Sequence, residues 1–338
     1  MTLSPLTWVI GAGGLLGTNV ERAIALSGEL WRPRRDIAWG TSMARADIAT
    51  AAAQFASRVG SRPWQVAWCA GAGVTATGGD ALAEEAGLFD ALLGTLSERM
   101  RPESAGAAFF ASSAGGVYAG SRSPPFTEDS PECPLSPYGE TKLRMEGAIS
   151  EWAGEHGWPV VVGRIANLYG PGQNLSKPQG LISQICRAHL LRRPVPIYVP
   201  LDTLRDYLYA RDCGELVAAL LAHIRQDPPL AESSTQVKIL ASHQGITIGS
   251  ILAEAGRVLK RRVKVAQLRS PTAGRFQARD LRLRSVVWPE LDRRVLTPLP
   301  VGIRATMNHL IGQVQLGSLR VEPSSSRATV GCQRPPLG

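Results

Sequence analysis

The sequence predicts an α/β fold, a Rossmann-type doubly wound parallel sheet followed by a smaller C-terminal α/β domain. Over the first 240 residues, short apolar segments alternate with segments of helical periodicity, as strands and helices do in such a sheet. A glycine-rich turn directly follows the first apolar segment, where the first strand would lead into the first helix. With 338 residues, of which 44% are hydrophobic, the chain can bury a substantial core.

Local patterns predict the individual elements. Apolar runs predict strands over 6–10, 65–69, 107–112, 159–165 and 237–240. Helical periodicity predicts helices over 19–26, 81–99, 139–156, 213–224 and 247–259. Two further strands are expected to end near Arg34 and Arg35 and at Asp47 and Ile48. Residues 170–200, rich in Pro and Gly, are expected to form an irregular functional insertion, and residues 316–338 a disordered tail.

Composition argues against several classes of protein. The five cysteines are scattered and odd in number, which disfavours a disulfide framework or a zinc site, and no metal is expected. No apolar run reaches the roughly 20 residues of a membrane span, and the first apolar segment has no charged region before it. We therefore expect a cytoplasmic protein that does not bind membranes.

The positive charge is concentrated near the C-terminus. Residues 1–255 carry 21 basic and 24 acidic residues, whereas residues 256–338 carry 16 and 4. A solvated arginine-rich surface is the simplest interpretation, and attraction of a diphosphate-bearing ligand is a second. The arginines are not interleaved with aromatic residues, so nucleic acid is not an expected partner.

The turn at residues 11–17 has the spacing of a dinucleotide-binding site. Gly11 would permit a tight turn, Gly14 would let the backbone approach a pyrophosphate, and Gly17 would allow close packing of helix and strand. The backbone N–H groups of Leu15 and Leu16, at the start of the helix, would then point toward the phosphates. Such glycines are a weak signal alone, but their place after a first strand favours a dinucleotide over a simple tight turn.

Arginines stand where the ribose of the cofactor would be recognised. Arg35 lies 24 residues beyond Gly11, near the position where an NAD site carries an acid. A guanidinium suits a 2′-phosphate instead, so Arg34 and Arg35 predict NADP, while the adjacent Asp36 keeps NAD open. Four further residues at the ends of predicted strands are cofactor candidates: Asp47, Ile48, Ala70 and Gly71.

Tyr138 and Lys142 form a YxxxK pattern that places both side chains on one face of a helix. A free phenol titrates at about pH 10, and a fixed ammonium nearby favours its ionised form. Such a phenol can exchange a proton with a sugar hydroxyl, while Lys142 can also bind the nicotinamide ribose. Ser112 and Ser113 end the preceding predicted strand, where a serine hydroxyl can orient the reacting oxygen or contact the cofactor.

These motifs resemble the extended short-chain dehydrogenases/reductases, the NAD(P)-dependent epimerase/dehydratase family. The resemblance covers about residues 6–300 and includes GRIANLYGPGQ at 163–173 and RDYLYARD at 205–212. It implies a Rossmann domain, 1–170 with 206–242 returning to it, and a substrate domain formed by 171–205 and 243–315. It also implies a nucleotide-sugar substrate whose diphosphate contacts Asn167 and Arg205. Arg269 is a weaker candidate for a phosphate or base contact.

Departures from the family pattern narrow the reaction. The family often has its hydroxyl residue where this chain has Ala114, so the resemblance transfers that role to Ser113, with Ser112 as the alternative. Dehydratases and decarboxylases of the family have acidic residues just after that hydroxyl, whereas Gly115 and Gly116 follow here. An epimerase or a ketoreductase remains, and NADP selection favours net reduction.

Two further expectations rest on analogy. Some proteins of this fold bind NADP as sensors, or bind RNA, without catalysis, but such a protein has no need of the Tyr138–Lys142 pair. Helices of this fold often pair two subunits, so a homodimer is expected by analogy alone.

Overall fold

The structure is a computed structural model that describes residues 4–71, 73, 77–176, 179–227, 234–268 and 278–319. Numbered along the chain, its strands are β1 (Leu6–Ile10), β2 (Glu29–Trp31), β3 (Trp64–Trp68), β4 (Gly106–Ser113), β5 (Val160–Ile165), β6 (Asn167–Tyr169), β7 (Val195–Ile197), β8 (Leu204–Tyr209), β9 (Thr235–Leu240), β10 (Gly245–Thr247), β11 (Val265–Gln267) and β12 (Asp280–Leu281). Its helices are α1 (Leu15–Ile24), α2 (Ala44–Val59), α3 (Gly79–Arg99), α4 (Ala114–Val117), α5 (Pro137–His156), α6 (Leu181–Leu190), α7 (Ala210–Gln226), α8 (Ile248–Val258), α9 (Pro289–Asp292) and α10 (Leu299–Gln315).

Six parallel strands form the central sheet, in the order β2-β1-β3-β4-β5-β9. β1 pairs with β2 on one side and with β3 on the other, so the direction of winding reverses between β1 and β3. Ligands of such sheets bind at the carboxyl ends of the strands, where this reversal opens a crevice. The predicted doubly wound parallel sheet is confirmed.

The edge of the sheet at β2 differs from the prediction. β2 ends at Trp31, before Arg34 and Arg35. No strand ends at Asp47 or Ile48, because both residues lie in α2. The usual order of such a sheet has another strand outside the second one. Residues 32–63, all of them described, contain a loop and α2 instead.

Helices cover both faces of the sheet. α1 and α7 pack together on one face, and α2, α3 and α5 pack in succession on the other. Aromatic rings fill much of the second layer, where Trp64 packs edge-on against Trp158. Ser136 caps the N-terminus of α5 by accepting a hydrogen bond from the N–H of Gly139, and Pro137 opens the helix. This cap fixes where the helix with the YxxxK pattern begins.

The remaining elements form a second, smaller cluster. β8 pairs with β6, β10 and β12, while β7 pairs with β11. Helices α6, α8 and α10 share a core that includes Ile185, Ile251 and Ile303. The expectation of an irregular segment over 170–200 is wrong, because α6 and β7 lie within it and α6 buries one apolar face.

Two predictions concern residues that lie partly or wholly outside this description. The predicted tail is described only as far as residue 319, and the candidate Arg269 lies outside the described residues. In the part of the chain that is described, none of the helices combines the length and the apolar character that crossing a membrane requires.

Candidate active site

The glycine turn joins β1 to α1 at the carboxyl edge of the sheet. Gly11 has a φ of +86°, and a Cβ there would lie 2.6 Å from the backbone nitrogen of Ala70. A Cβ at Gly17 would collide with the carbonyl oxygen of Gly11. These glycines therefore let the first turn of α1 approach β1 and β3 closely, as the spacing predicted.

The same turn leaves room on its outer side. A Cβ at Gly13 would have no atom within 4 Å, whereas one at Gly14 would lie 3.3 Å from the oxygen of Gly11. Leu16 is buried, and Leu15 is half-buried at the N-terminus of α1. The first N–H groups of a helix have no partner within the helix, so this end can bind phosphate. The residues present thus fit a dinucleotide.

The candidates for the adenosine end of the cofactor divide into two groups. Arg34 and Arg35 are exposed on the loop after β2. Ile48 is completely buried in the core, and Asp47 accepts a hydrogen bond from the N–H of Ala38 at 3.0 Å. Trp39, which follows Ala38 in the loop, lies edge-on to Trp68 at the end of β3. Arg34 and Arg35 therefore face solvent, whereas Ile48 faces the core.

Tyr138 lies in a narrow slot between two glycines. A Cβ at Gly73 would be 3.0 Å from Cδ2 of the tyrosine, and one at Gly116 would be 3.1 Å from Cε1. The side chain is half-buried, in neither the closed core nor open solvent. The turn after β4, Gly73 and the start of α5 therefore position the ring together.

Lys142 lies one helical turn beyond Tyr138, as the spacing predicted. Its Nζ is 5.8 Å from the centroid of the Tyr138 ring and 5.4 Å from that of Phe110. Burial opposes the charge of Lys142, but Tyr138, Glu85 and Glu146 outweigh burial and raise the pKa of the ammonium. The buried lysine is therefore held in its charged form.

Glu85 on α3 is the partner that the sequence did not reveal. Its Oε1 accepts a hydrogen bond from Nζ of Lys142 at 2.8 Å, and both side chains are less than 10% exposed. Its Oε2 accepts a hydrogen bond from the N–H of Gly73 at 3.2 Å. Glu85 is one of several acids in an amphipathic helix and lies 57 residues before Lys142, so no local pattern marks it.

The two candidate serines face different surroundings. Ser112 is buried, and its hydroxyl donates to the carboxylate of Glu146. Glu146 in turn accepts from the guanidinium of Arg164, which also donates to the hydroxyl of Tyr118 at 2.7 Å. Ser113 is half-buried, and its Oγ accepts from the N–H of Gly116 at 3.2 Å. Ser113 thus belongs to the turn that borders Tyr138, whereas Ser112 belongs to a buried polar network.

The two described candidates for substrate contacts lie on paired strands. Asn167 on β6 is in register with Tyr207 of β8, and its Nδ2 donates to the carbonyl of Asp206 at 3.1 Å. Arg205 lies earlier on β8, is 8% exposed, and donates to the carbonyl of Leu204. Burial lowers the pKa of Arg205. The pairing of β6 with β8 therefore places Asn167 and Arg205 on neighbouring strands.

Comparison with known proteins agrees with these features. The sequence profile of the NAD dependent epimerase/dehydratase family matches residues 7–231, which include the glycine turn, Tyr138, Lys142 and Arg205. The chain belongs to this family. An uncharacterized UDP-glucose epimerase, YtcB of Bacillus subtilis, is 32% identical over 113 residues, or 33% of this chain and 34% of that protein. The chain spans about a quarter to a third of the length of the curated relatives that it matches.

Solved structures share the fold over nearly the whole chain. A UDP-glucose 4-epimerase of Thermotoga maritima, solved with UDP-glucose, has a TM-score of 0.74 at 19% identity and covers 91% of this chain and 99% of its own. RMD of Pseudomonas aeruginosa, complexed with NADPH, has a TM-score of 0.70 at 19% identity and covers 92% and 100%. The resemblance to extended short-chain dehydrogenases/reductases is confirmed, as is the fold class.

Proposed function

We propose that this chain is an NAD(P)-dependent oxidoreductase that acts on the sugar of a nucleotide-diphosphate sugar. One continuous arrangement supports the proposal. The glycine turn abuts Ala70, a Cβ at the adjacent Gly71 would lie 3.6 Å from Nζ of Lys142, and that nitrogen is 5.8 Å from the centroid of the Tyr138 ring. A dinucleotide bound at the turn would therefore lead directly to the tyrosine and lysine.

Each side chain at the tyrosine has a distinct role in this proposal. When bound, the nicotinamide supplies or accepts a hydride at a carbon of the sugar. Tyr138 exchanges a proton with the oxygen on that carbon, and the neighbouring ammonium of Lys142 favours the charge that develops on the phenol. Ser113 orients the reacting oxygen by hydrogen bonding, because the hydroxyl of Ser112 is already engaged by Glu146.

The residues after Ser113 favour simple hydride chemistry over elimination. They form the short helix α4, whose four residues, Ala, Gly, Gly and Val, include no acid. Without an acid at that point, the turn offers no group to remove a second proton from the sugar. The proposed reaction is therefore epimerisation, in which the cofactor is recycled, or reduction of a keto-sugar, in which NAD(P)H is consumed.

The cofactor and substrate contacts extend the proposal. Arg34 and Arg35 support NADP, because exposed guanidinium groups after β2 can bind a 2′-phosphate. The buried cation of Arg205 and the amide of Asn167 support a contact with the substrate diphosphate. The division into a cofactor domain (1–170 with 206–242) and a substrate domain (171–205 with 243–315) stays part of the proposal, as does a homodimer.

Incubation with a panel of UDP- and dTDP-sugars and their keto derivatives tests the proposal. Cofactor absorbance and product stereochemistry are followed together. Formation of an epimer without net change in NAD(P)H identifies an epimerase, and stoichiometric loss of NAD(P)H identifies a ketoreductase. Tight binding of NADP(H) without turnover of any member of the panel would instead indicate a non-catalytic binding protein and contradict the proposal.

A further inference from the structure

Glu85 is a buried carboxylate that the proposed chemistry leaves without a role. It lies on α3, opposite Lys142 on α5, and the two side chains form an ion pair at 2.8 Å. Their exposed fractions are 8% and 5%. Because both partners are almost completely removed from water, each depends on the other for the stability of its charge.

The surroundings of Lys142 show why a partner is needed. Tyr138 and Glu146 face the ammonium from α5, Glu85 faces it from α3, and the apolar ring of Phe110 faces it from β4. Glu146 also accepts hydrogen bonds from Arg164, so part of its charge is already compensated. A lysine buried without a compensating anion tends to lose its proton near neutrality. Glu85 is the acid whose carboxylate contacts the ammonium.

We propose that Glu85 is a positioning residue that holds the Lys142 ammonium charged and within reach of Tyr138 before the cofactor binds. An ammonium has three N–H donors, and Glu85 accepts one of them. The inference rests on the function proposed above, because it assigns the residue that prepares the same tyrosine and lysine for proton exchange.

The second oxygen of Glu85 extends its effect to the tyrosine slot. It accepts the N–H of Gly73, the residue at which a Cβ would lie 3.0 Å from Cδ2 of Tyr138. One carboxylate thus fixes both the ammonium and one wall of the slot. Glutamine has the same shape and keeps an acceptor oxygen, so Glu85→Gln removes the charge while retaining most of the packing.

The ionisation of Lys142 can be measured directly and without catalysis. The chain has five lysines, so ¹³C-labelled lysine gives few signals, and the Lys142→Arg variant identifies the one of interest. We expect the midpoint of Lys142 titration in the cofactor-free protein to fall by about 1–3 pH units in Glu85→Gln. The matched control is Glu84→Gln, which changes an exposed acid of the same helix and should leave the midpoint unchanged.

The outcomes separate this inference from the proposed function. An unchanged midpoint in Glu85→Gln would overturn the role of Glu85, whatever reaction is found. Should Glu85→Gln fail to fold, Glu85→Asp, which keeps the charge but shortens the side chain, should lower the midpoint by a smaller amount, and no change there would also overturn it. A lower midpoint in Glu85→Gln combined with no turnover by the wild type would support the role of Glu85 and contradict the proposed function instead.

The pH dependence of turnover gives the second readout. With a substrate that the wild type converts, the alkaline limb of kcat/KM should move to lower pH in Glu85→Gln by about the shift of the Lys142 midpoint, and Glu85→Asp should restore most of it. A merely structural role would lower turnover equally at every pH, which would contradict the inference.

Discussion

Replacing Asp292 with asparagine is expected to destabilise the fold more than replacing its partner Lys238. Lys238 lies on β9, and its side chain is completely buried. Its ammonium donates to Asp292 Oδ2 at 2.8 Å, to Ser285 Oγ at 2.8 Å and to the carbonyl of Val287 at 2.6 Å. All three donors are therefore used, and they tie residues 285–292 to the central sheet.

The expected loss of stability depends on which member of the ion pair remains without its counterion. Asp292→Asn leaves a fully buried cation without its anion, which costs about 3–5 kcal/mol. Unfolding entropy of about 2.1 cal/mol/K per residue gives about 0.7 kcal/mol/K for this chain, so the Tm should fall by about 4–7 °C. Lys238→Met leaves Asp292, which is 14% exposed beside a cavity of about 260 Å³ that can admit water, and should cost about 1–3 kcal/mol.

The stabilisation by Asp292 depends on pH with a definite sign. Burial opposes the charge of Asp292, but His243 and Lys238 outweigh burial and lower the pKa of its carboxyl. A carboxyl with a lowered pKa in the folded state stabilises the fold above its unfolded pKa of about 4 and loses that contribution as the pH falls through the folded value. The difference in Tm between the wild type and Asp292→Asn should therefore be full at pH 7 and shrink below about pH 4.

Thermal unfolding followed by circular dichroism at pH 7, 5 and 3.5 measures these differences. The double variant Lys238→Met/Asp292→Asn should be more stable than Asp292→Asn alone, because no buried charge is then left unpaired. Equal losses in the two single variants, or a loss in Asp292→Asn that does not change with pH, would refute the reasoning.

Two further predictions concern the cofactor site. Gly17→Ala should lower stability by about 1–3 kcal/mol in the same unfolding assay, because the new methyl group would collide with the carbonyl of Gly11. Gly13→Ala should leave stability unchanged within about 0.5 kcal/mol, because a Cβ at Gly13 has no atom within 4 Å. Equal effects at the two glycines would contradict the packing described. Replacing Arg34 and Arg35 with alanine should weaken NADP binding about tenfold or more in calorimetric titration and leave NAD binding unchanged, because only NADP has the 2′-phosphate. An equal loss for both cofactors would contradict the assignment of NADP.

Most of the central sheet could be predicted from the sequence because its signals are local. The first strand, Leu6–Ile10, was predicted with its observed ends, and α5 was predicted to within two residues at its start. Each has an apolar run or a helical pattern bounded by glycine or proline. The turn at Gly11 and the Tyr138–Lys142 pair were predicted for the same reason, since the relevant spacing lies within a few residues.

Most of the errors arose where contacts between distant parts of the chain decide the local structure. The second strand ends at Trp31, before Arg35, and the chain then continues through a loop into α2. No strand ends at Ile48, which is buried as part of a helix instead. The segment 170–200 contains α6, whose apolar face packs on α10. Its buried residues Ile182, Ile185 and Cys186 recur at helical spacing, a local signal that the Pro- and Gly-rich composition of the segment obscured. Glu85 and Glu146 contact residues distant in the sequence, so only the folded chain reveals that one holds Lys142 and the other holds Ser112.

The activity of Tyr138→Phe tests the central claim most directly. Phenylalanine keeps the ring that fits between Gly73 and Gly116 and removes only the hydroxyl. With a nucleotide sugar that the wild type converts, kcat should fall by about 10²–10⁴-fold while the Kd for NADP changes by less than about twofold. Glu140→Gln, an exposed change on the same helix, is the matched control and should retain wild-type turnover. Turnover by Tyr138→Phe within about threefold of the wild type would show that proton exchange occurs elsewhere and would contradict the account.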